Sequence, residues 1–361
     1  MIKKTILTAF VVFVFFYGTF AQDTTAPAPP PPAAPALKIS GSVDAYYRFS
    51  PGADAHPYKN SWTSFTQTGN SFQLGMASLK AEYSSGNVGV VADLGVGKRA
   101  EDFSYADSKT LQIIKQAYVY YAPSDKVKFT FGKWGTHVGY ELLDPQLNKN
   151  YSMSYMFTNG PFSHTGIKAD FTLGGGAGLM LGIANPIDST APSSGSSPKT
   201  ILAQFSKVAG KLSLYINYVG YFGAKNSLPY ASSLNQFGVT ASIAASDKFS
   251  IGYDGTIQMV KDEILGKTKS WWGSAIYLNA VASESFGATL RGEYFSDKKY
   301  GVKVGANVFA ATLSGNYKVG NFILIPELRF DSASSEIFTK NADGDLSKSA
   351  FSAILAAVYS F

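Results

Sequence analysis

The sequence predicts an all-β membrane protein, a transmembrane antiparallel β-barrel of about sixteen strands. Of the 361 residues, 45% are hydrophobic and only 16% are charged, whereas soluble proteins average about 25% charged. After residue 21 there is no run of about 18 apolar residues that could form a transmembrane helix. Instead, segments of about ten residues with alternating apolar and polar positions recur from Leu37 onward. A closed barrel is the remaining way to pair every backbone group inside a bilayer.

The first 21 residues have the features of a secretory signal peptide. A basic start, Lys3 and Lys4, is followed by an apolar stretch, and Thr19-Phe20-Ala21 places small residues at the −3 and −1 positions of a cleavage site before Gln22. An uncleaved membrane anchor is the alternative, and it is disfavoured because the segment is short. Cleavage after residue 21 removes two of the 31 basic residues and leaves 29 against 25 acidic ones, a net charge of +4.

Residues 22–36 are rich in proline and alanine and predict an extended periplasmic tether. Their composition names no partner, so we favour a spacer over a segment that binds the cell wall or another protein. The barrel is predicted to occupy residues 37–361.

The alternation of side chains defines the strands. In the first strand Ile39, Val43 and Tyr47 suit a lipid-facing surface, whereas Asp44 and Arg48 fall on the opposite face. The predicted strands are 37–50, 71–84, 87–98, 111–122, 126–134, 163–173, 177–186, 199–208, 211–222, 235–245, 248–260, 270–282, 285–296, 301–318, 322–332 and 348–361. Fourteen or eighteen strands are the alternatives, because 301–318 is long and strand boundaries read from one sequence are uncertain.

The connections alternate between tight turns and longer loops. The longer ones are 51–70, 99–110, 135–162, 187–198, 223–234, 261–269 and 333–347, while the connection 297–300 is short and breaks the trend. In outer-membrane barrels the short turns face the periplasm and the longer loops are extracellular. An even number of strands also places both termini at the periplasmic end, in agreement with a periplasmic tether.

The last strand has an alternating lipid face that ends on an aromatic residue, Phe361. Such an ending resembles the signal that the barrel-insertion machinery of the outer membrane recognises. The terminal strand of a soluble sandwich is the alternative, and the signal peptide and the repeated strand pattern disfavour it.

The composition leaves little for catalysis or metal binding. The chain has no cysteine, which removes disulfides, thiolate zinc sites and cysteine nucleophiles. Its three histidines, at positions 56, 137 and 164, form no recognisable hydrolytic set. We therefore expect no catalytic residue, no cofactor and no metal, and the mild net charge does not indicate nucleic-acid binding.

The longest connection, 135–162, is the candidate constriction of the lumen, since loops of this length are seldom without function. Folded inward, it would narrow the lumen and set size and charge selectivity; a flap on the rim is the alternative. Arg291 and Glu293, like Glu327 and Arg329, are two residues apart on one face, so they can neutralise each other and we expect weak selectivity. The candidate pore-lining residues are Arg48, Lys128, Lys133, His137, Glu141, Asp144, Lys149, Lys168, Asp170, Arg291, Glu293, Glu327 and Arg329.

The same stretch resembles a known family. The segments 131–136, 139–141, 148–155 and 161–167 are similar to the strand–loop–strand core of the OmpL-like β-barrel porins. The likeness covers 37–361 in architecture, but its specific motifs lie within 127–172. The resemblance implies an outer-membrane diffusion channel and supplies no catalytic residues.

Together these observations predict a porin in the outer membrane of a Gram-negative bacterium, which passes ions and small hydrophilic solutes by passive diffusion. A plugged barrel that acts as a structural or assembly partner is the alternative, and apolar loop tips would favour it. An outer-membrane hydrolase is a poor third candidate for want of residues. The expected partners are outer-membrane lipid, the insertion machinery and the permeating solutes. Barrels of this size that resemble general porins are often homo-trimers, although no interface can be identified from the sequence.

Overall fold

The computed structural model describes residues 36–52, 60–192, 197–222, 233–262, 266–302, 304–341 and 343–361. The predicted signal peptide and all but the last residue of the tether lie outside the described residues, as does His56.

Sixteen antiparallel strands close into one barrel. They are β1 (Ala36–Phe49), β2 (Ser71–Ser85), β3 (Val88–Val96), β4 (Ile114–Ser124), β5 (Val127–Gly135), β6 (Ser163–Gly174), β7 (Ala177–Ala184), β8 (Thr200–Ala209), β9 (Leu212–Phe222), β10 (Ser233–Ala244), β11 (Phe249–Asp262), β12 (Lys267–Val281), β13 (Phe286–Ser296), β14 (Asn307–Val319), β15 (Phe322–Ala333) and β18 (Ser349–Ser360). Two further strands, β16 (Phe338–Thr339) and β17 (Leu346–Ser347), form a separate hairpin in the last loop. The predicted all-β class and the count of sixteen barrel strands are confirmed.

Helical segments occur only in the connections of the described chain. They are α1 (Lys98–Phe103), α2 (Tyr155–Asn159) and the 3-10 helices Lys109–Ile113 and Pro145–Leu147. In the part of the chain that the structure describes, no helix has the length and apolar character to cross a membrane.

The two faces of each strand meet different surroundings, as β15 shows. Glu327 and Arg329 point inward and are buried, whereas Leu328 and Phe330 are 50% and 47% exposed on the outside. Because successive side chains of a strand point to opposite faces, this alternation produces an apolar outer band for lipid and a polar inner wall.

The barrel closes where the last strand meets the first. β18 pairs antiparallel with both β1 and β15, and Tyr47 lies opposite Leu355. The final residue continues the ladder, since Phe361 and Gly41 exchange two backbone hydrogen bonds of 3.0 Å. Closure leaves no strand edge unpaired in the bilayer.

The largest error in a predicted strand boundary is six residues. The strand predicted over 301–318 begins only at Asn307, so the connection that precedes it spans 297–306 and is not short. The carboxylate of Asp297 accepts hydrogen bonds from the backbone N–H groups of Val302 (3.0 Å) and Gly305 (2.9 Å). A compact loop therefore uses donors that a strand would need, and the connection 297–306 follows the trend of the other outer loops.

Candidate constriction of the lumen

Loop 135–162 lies inside the barrel and crosses the lumen. Glu141 forms an ion pair with Arg291 on β13. Three residues later, Asp144 lies 2.6 Å from the Nζ atom of Lys115 on β4, which is on the opposite side of the barrel. The loop is therefore folded inward and does not form a flap on the rim.

The returning limb of the loop is held by Glu327 on β15. This carboxylate accepts hydrogen bonds from the backbone N–H groups of Tyr151 (2.7 Å) and Ser152 (3.1 Å). It also accepts one from the hydroxyl of Ser314 (2.7 Å), which in turn accepts one from the side-chain amide of Asn150 (2.6 Å). A wall carboxylate thus takes the place of a strand partner for the loop backbone.

Arg329 and Glu293 hold the next residues of the loop. Arg329 donates to the carbonyl of Met153 (2.7 Å), and Glu293 accepts from the backbone N–H of Tyr155 (2.9 Å). The two wall residues also contact each other at 3.4 Å, and Arg329 is paired with Asp331 at 2.9 Å. Arg329, Glu293 and Asp331 are therefore paired or hydrogen-bonded within the barrel and do not face an open passage.

Arg291 is fully buried among loop and wall groups. Its guanidinium donates to Glu141, to the carbonyl of Ser152 (2.7 Å) and to the hydroxyl of Thr312 (3.1 Å). Glu141 in turn accepts from the backbone N–H of Ser154 at 2.8 Å. Removing one partner of such a buried pair leaves an uncompensated charge, which typically costs about 3–5 kcal/mol.

Tyr151 fastens the loop to β1. Its hydroxyl donates to the carboxylate of Asp44, and burial raises the pKa of Tyr151 well above its ordinary value, so the phenol stays a neutral donor. The guanidinium of Arg99 lies 3.8 Å from Asp44 and stacks between the rings of Tyr151 and Phe65 at 4.9 and 4.8 Å. Gly75, on the neighbouring strand β2, leaves room for the Asp44 carboxylate. A Cβ atom at position 75 would lie 1.8 Å from a carboxylate oxygen of Asp44, so glycine is required there.

Three loops meet in an apolar cluster inside the barrel. Phe65 comes from loop 50–70, Phe103 from loop 97–113, and Met153, Phe157 and Phe162 from loop 135–162. Neighbouring rings in this cluster have centroids 5.3–5.8 Å apart. The loops therefore share a core of their own in the half of the barrel away from the short turns.

Polar contacts tie the first two loops to the wall. Arg48 on β1 donates to the carbonyls of Asn60 (2.7 Å) and Thr68 (2.8 Å). Lys133 on β5 is paired with Asp107 at 2.9 Å. The side chains of Arg48, Asn60, Lys133 and Asp107 are each less than one-tenth exposed. The charges of Arg48 and Lys133 are therefore directed at loops.

His137 carries no charge at neutral pH. Its Nε2 atom lies 3.3 Å from the carbonyl oxygen of Tyr218, and its ring centroid is 5.4 Å from that of His164. Burial lowers the pKa of His137 to about 4. This histidine can position the loop but adds no fixed charge to the lumen.

Other lumenal charges stay accessible towards the short-turn end of the barrel. Lys128 is half-buried and lies over the ring of Tyr120 at 4.2 Å. Lys168 is paired with Asp170 at 3.1 Å, and Lys149, in the loop, is exposed. Two residues apart on β2, Lys80 and Glu82 form a further half-exposed pair at 2.9 Å.

A family comparison decides what kind of barrel this is. The family described as "Putative beta-barrel porin-2, OmpL-like" matches residues 36–361. The chain belongs to this porin family. The resemblance carried by the segments within 127–172 is thereby confirmed, and the protein is an outer-membrane porin, with the family and fold of a channel rather than of an enzyme.

The porin is similar in fold to several solved structures. The anion-selective porin from Comamonas acidovorans gives a TM-score of 0.61 at 11% identity, with 91% of this chain and 100% of that chain covered. The trimer form of OmpT from Vibrio cholerae gives 0.59 at 10% identity, covering 91% and 100%. The outer membrane channel DcaP of Acinetobacter baumannii gives 0.58 at 16% identity, covering 91% and 98%. At these identities the likeness shows the fold alone. No curated protein matches the porin by sequence.

The thirteen predicted pore-lining residues divide by what they contact. Those that bind loops, or bind the wall from a loop, are Arg48, Lys133, Glu141, Asp144, Arg291, Glu293, Glu327 and Arg329. Those that face the accessible lumen are Lys128, Lys149, Lys168 and Asp170. His137 is uncharged at neutral pH. The part that each plays in permeation stays a prediction.

Some residues of the porin's lumen were not among the candidates. Lys80 and Glu82 on β2 follow the strand alternation, which could have found them. Lys115 could not be found from the alternation, because the pairing of β3 with β4 is irregular near the start of β4. Asp93 lies opposite Gln116 and Leu94 lies opposite Ile114, so Lys115 is skipped. This irregularity lets Lys115 and its neighbour Gln116 both contact Asp93, each at 3.1 Å.

Proposed function

We propose that the porin lets ions and small hydrophilic solutes diffuse passively through the part of the lumen that loop 135–162 leaves free, and that it prefers anions. The distribution of accessible charge supports this preference. The preference contrasts with the weak selectivity that the mixed signs in the sequence indicate.

Negative and positive side chains in the lumen differ in how far they are used in ion pairs and hydrogen bonds. Among the described side chains, the carboxylates on the inner faces of the strands and in loop 135–162 are used in contacts: Glu82 and Asp170 have lysine partners, and the others bind loops or neighbouring wall groups. Glu284, on the turn between β12 and β13, is exposed. In contrast, Lys128, Lys149 and Lys318 face the lumen with no carboxylate within 4.0 Å among the described residues. Unpaired cations in a low-dielectric passage raise the local concentration of anions.

Single-channel conductance of the refolded porin in a planar bilayer tests this function. Stable current steps are expected, and under a salt gradient the reversal potential should show that anions pass more readily than cations. Replacing Lys128, Lys149 and Lys318 together by glutamine should bring the permeability ratio severalfold closer to unity.

The matched control is Lys211→Gln, which removes one positive charge from the exposed turn between β8 and β9. This variant should keep the reversal potential of the unmodified porin. A cation-selective channel, or a triple variant with unchanged selectivity, would contradict the anion preference while leaving passive diffusion standing.

A second function is favoured by the apolar cluster that three loops build inside the barrel. A barrel filled in this way could serve as a structural or assembly partner in an outer-membrane complex. A correctly folded porin that carries no current in the same bilayers would support this alternative and exclude general diffusion.

We also propose how the porin reaches and occupies the outer membrane. Export is through a signal peptide of residues 1–21 that is cleaved before Gln22, followed by a periplasmic tether at 22–36. The measured mass of the mature protein should therefore equal that of a chain that begins at Gln22.

We propose further that three copies form the functional unit, as in the trimer form of the OmpT structure with a similar fold. Native mass measurement in detergent should give three chains, and a single chain would contradict this assembly.

A further inference from the structure

A cavity that is open to solvent lies at the short-turn end of the lumen, between loop 135–162 and the strands β12 to β14. Two lysines line it: Lys149 from the loop and Lys318 from β14. The polar groups beside them are the side chains of Asn279, Thr289 and Asn316. The cavity is separate from the charged contacts that fasten the loop to β13 and β15.

Lys149 is held in this cavity by its backbone and not by its side chain. Its carbonyl accepts a hydrogen bond from Asn316 on β14 at 2.8 Å, and the next residue, Asn150, donates to Ser314 at 2.6 Å. Among the described residues the ammonium group of Lys149 has no hydrogen-bonding or ion-pair partner, although the residue is exposed to the lumen. The fold thus fixes the position of a cation and leaves its charge free.

Lys318, which has no ion-pair partner among the described residues, provides a second cation in the same cavity. It is two residues from Asn316 on the inner face of β14 and is half-buried. Enclosure by the barrel and then the charge of Lys318 lower the pKa of Lys149. One carboxylate, Glu284 on the turn between β12 and β13, lines the cavity, so the three ionic groups carry a net positive charge.

We infer that this cavity is a binding subsite for small oxyanions with two negative charges, which permeating solutes occupy on their way through the lumen. Two ammonium groups at one cavity favour a doubly charged ligand over chloride. One N–H of the Asn316 amide binds the Lys149 carbonyl, and its second N–H can donate to the oxygens of the ligand. Val281, on the same strand face as Asn279, adds apolar surface, which suits the carbon chain of a dicarboxylate.

The inference rests on the proposed passage of anions, but its test can be read separately. Succinate and inorganic phosphate are added in turn to the short-turn side of single porin channels in chloride, and both should interrupt the chloride current. Lys149→Gln and Lys318→Gln should each weaken this block by about tenfold, since a charged hydrogen bond contributes about 1.5 kcal/mol or more. Stronger block by succinate than by phosphate would identify the organic class of ligand, and the reverse order would identify phosphate.

Lys128→Gln is the matched control, because it removes a lumenal lysine that has no carboxylate partner among the described residues and lies on β5, across the barrel from β14. It should alter chloride selectivity but keep the block. A loss of block equal to that of Lys149→Gln, or no block in the unmodified porin, would overturn the subsite. If the porin carries no current, titration calorimetry of succinate into the detergent-solubilised barrel decides: binding that Lys149→Gln and Lys318→Gln weaken supports the subsite without diffusion, and no binding rejects it.

Discussion

Individual ionic residues of this porin serve mainly to anchor loops. Arg291 and Arg329 point into a lumen that could hold water, yet each is buried against the backbone of loop 135–162. Desolvating such ions is costly, and their carboxylate and carbonyl partners offset that cost. Removing any one of these partners would leave a buried charge without compensation and would destabilise the loop.

Replacing Arg291 by methionine should release loop 135–162. Glu141 then stays buried without its cation, at a cost of about 3–5 kcal/mol, while the hydrogen-bond ladder of β13 remains intact. The rate of limited proteolysis within the loop should rise severalfold, while the folded barrel is retained. The control is Lys80→Met, which breaks a half-exposed pair with Glu82 and should cost about 0–1 kcal/mol; equal proteolysis of both variants would contradict the anchoring role.

Asp188 is expected to give the loop assembly a pH dependence. In the loop after β7, its carboxylate accepts hydrogen bonds from the backbone N–H groups of Phe162 (2.6 Å) and Ser163 (2.8 Å) and from the hydroxyl of Tyr105 (3.0 Å). Burial raises the pKa of Asp188 from 3.8 to about 6. The folded protein therefore holds this proton more tightly than the unfolded chain, so the contribution to stability is complete below about pH 4 and is lost as the pH rises through about 6.

The variant Asp188→Asn cannot ionise and should lose this dependence. Between about pH 4 and pH 7.5 the unmodified porin should lose the contribution of Asp188, and the variant should not. The free energy of unfolding of the variant minus that of the unmodified porin should therefore increase by up to about 2–3 kcal/mol over this pH range. Denaturant unfolding in detergent at both pH values measures the difference. Asp125→Asn, on an exposed turn, should follow the unmodified porin, and a constant difference between Asp188→Asn and the unmodified porin at both pH values would exclude Asp188 as the cause.

At the scale of elements, the last strand closes the barrel and is predicted to carry the signal for its insertion. β18 closes the barrel against β1 and β15, and it presents Phe351, Tyr359 and Phe361 on its outer face, each at least 42% exposed. Closure depends on the whole backbone ladder, whereas recognition by the insertion machinery is predicted to depend on the terminal aromatic residue.

Deleting Phe361 should therefore lower the amount of assembled porin in cells severalfold while the purified chain still refolds in detergent. Only the two backbone hydrogen bonds with Gly41 are lost from the ladder, so the barrel itself should survive. Phe351→Ala, on the same strand and face, is the matched control and should assemble normally. Equal assembly of the two variants in cells would remove Phe361 from the recognition signal.

For the whole molecule, we predict that loop 135–162 sets how wide a passage the barrel leaves. Sixteen strands enclose a lumen wide enough for water, but three loops pack inside the described barrel. Permeation of neutral sugars into porin-containing liposomes should therefore fall steeply with solute size.

Replacing residues 142–153 by a short Gly-Ser linker should shift this cutoff to larger sugars. The two ends can be joined because the Glu141 side chain and the Ser154 backbone are within hydrogen-bonding distance at 2.8 Å. Liposome swelling measures the change, and a linker of the same composition inserted into the exposed turn between β8 and β9 is the control. An unchanged cutoff would show that another segment limits permeation.

The sequence by itself determined the barrel. Because a bilayer requires every backbone group to be paired and every outward side chain to be apolar, a local alternation such as Leu328-Arg329-Phe330 is enough to place a strand and its two faces. The same local signal failed at 301–306, where the carboxylate of Asp297 accepts hydrogen bonds from two backbone N–H groups, those of Val302 and Gly305.

Only the tertiary structure decided which charges line an open passage. Glu327 and Tyr151 are 176 residues apart in the chain and 2.7 Å apart in space, and no local pattern in either segment records that contact. Alternation predicts that Arg329 and Lys128 both face inward, yet it cannot tell the buried anchor from the accessible cation. That difference depends on where loop 135–162 packs, which follows from many long-range contacts formed together once the barrel has closed.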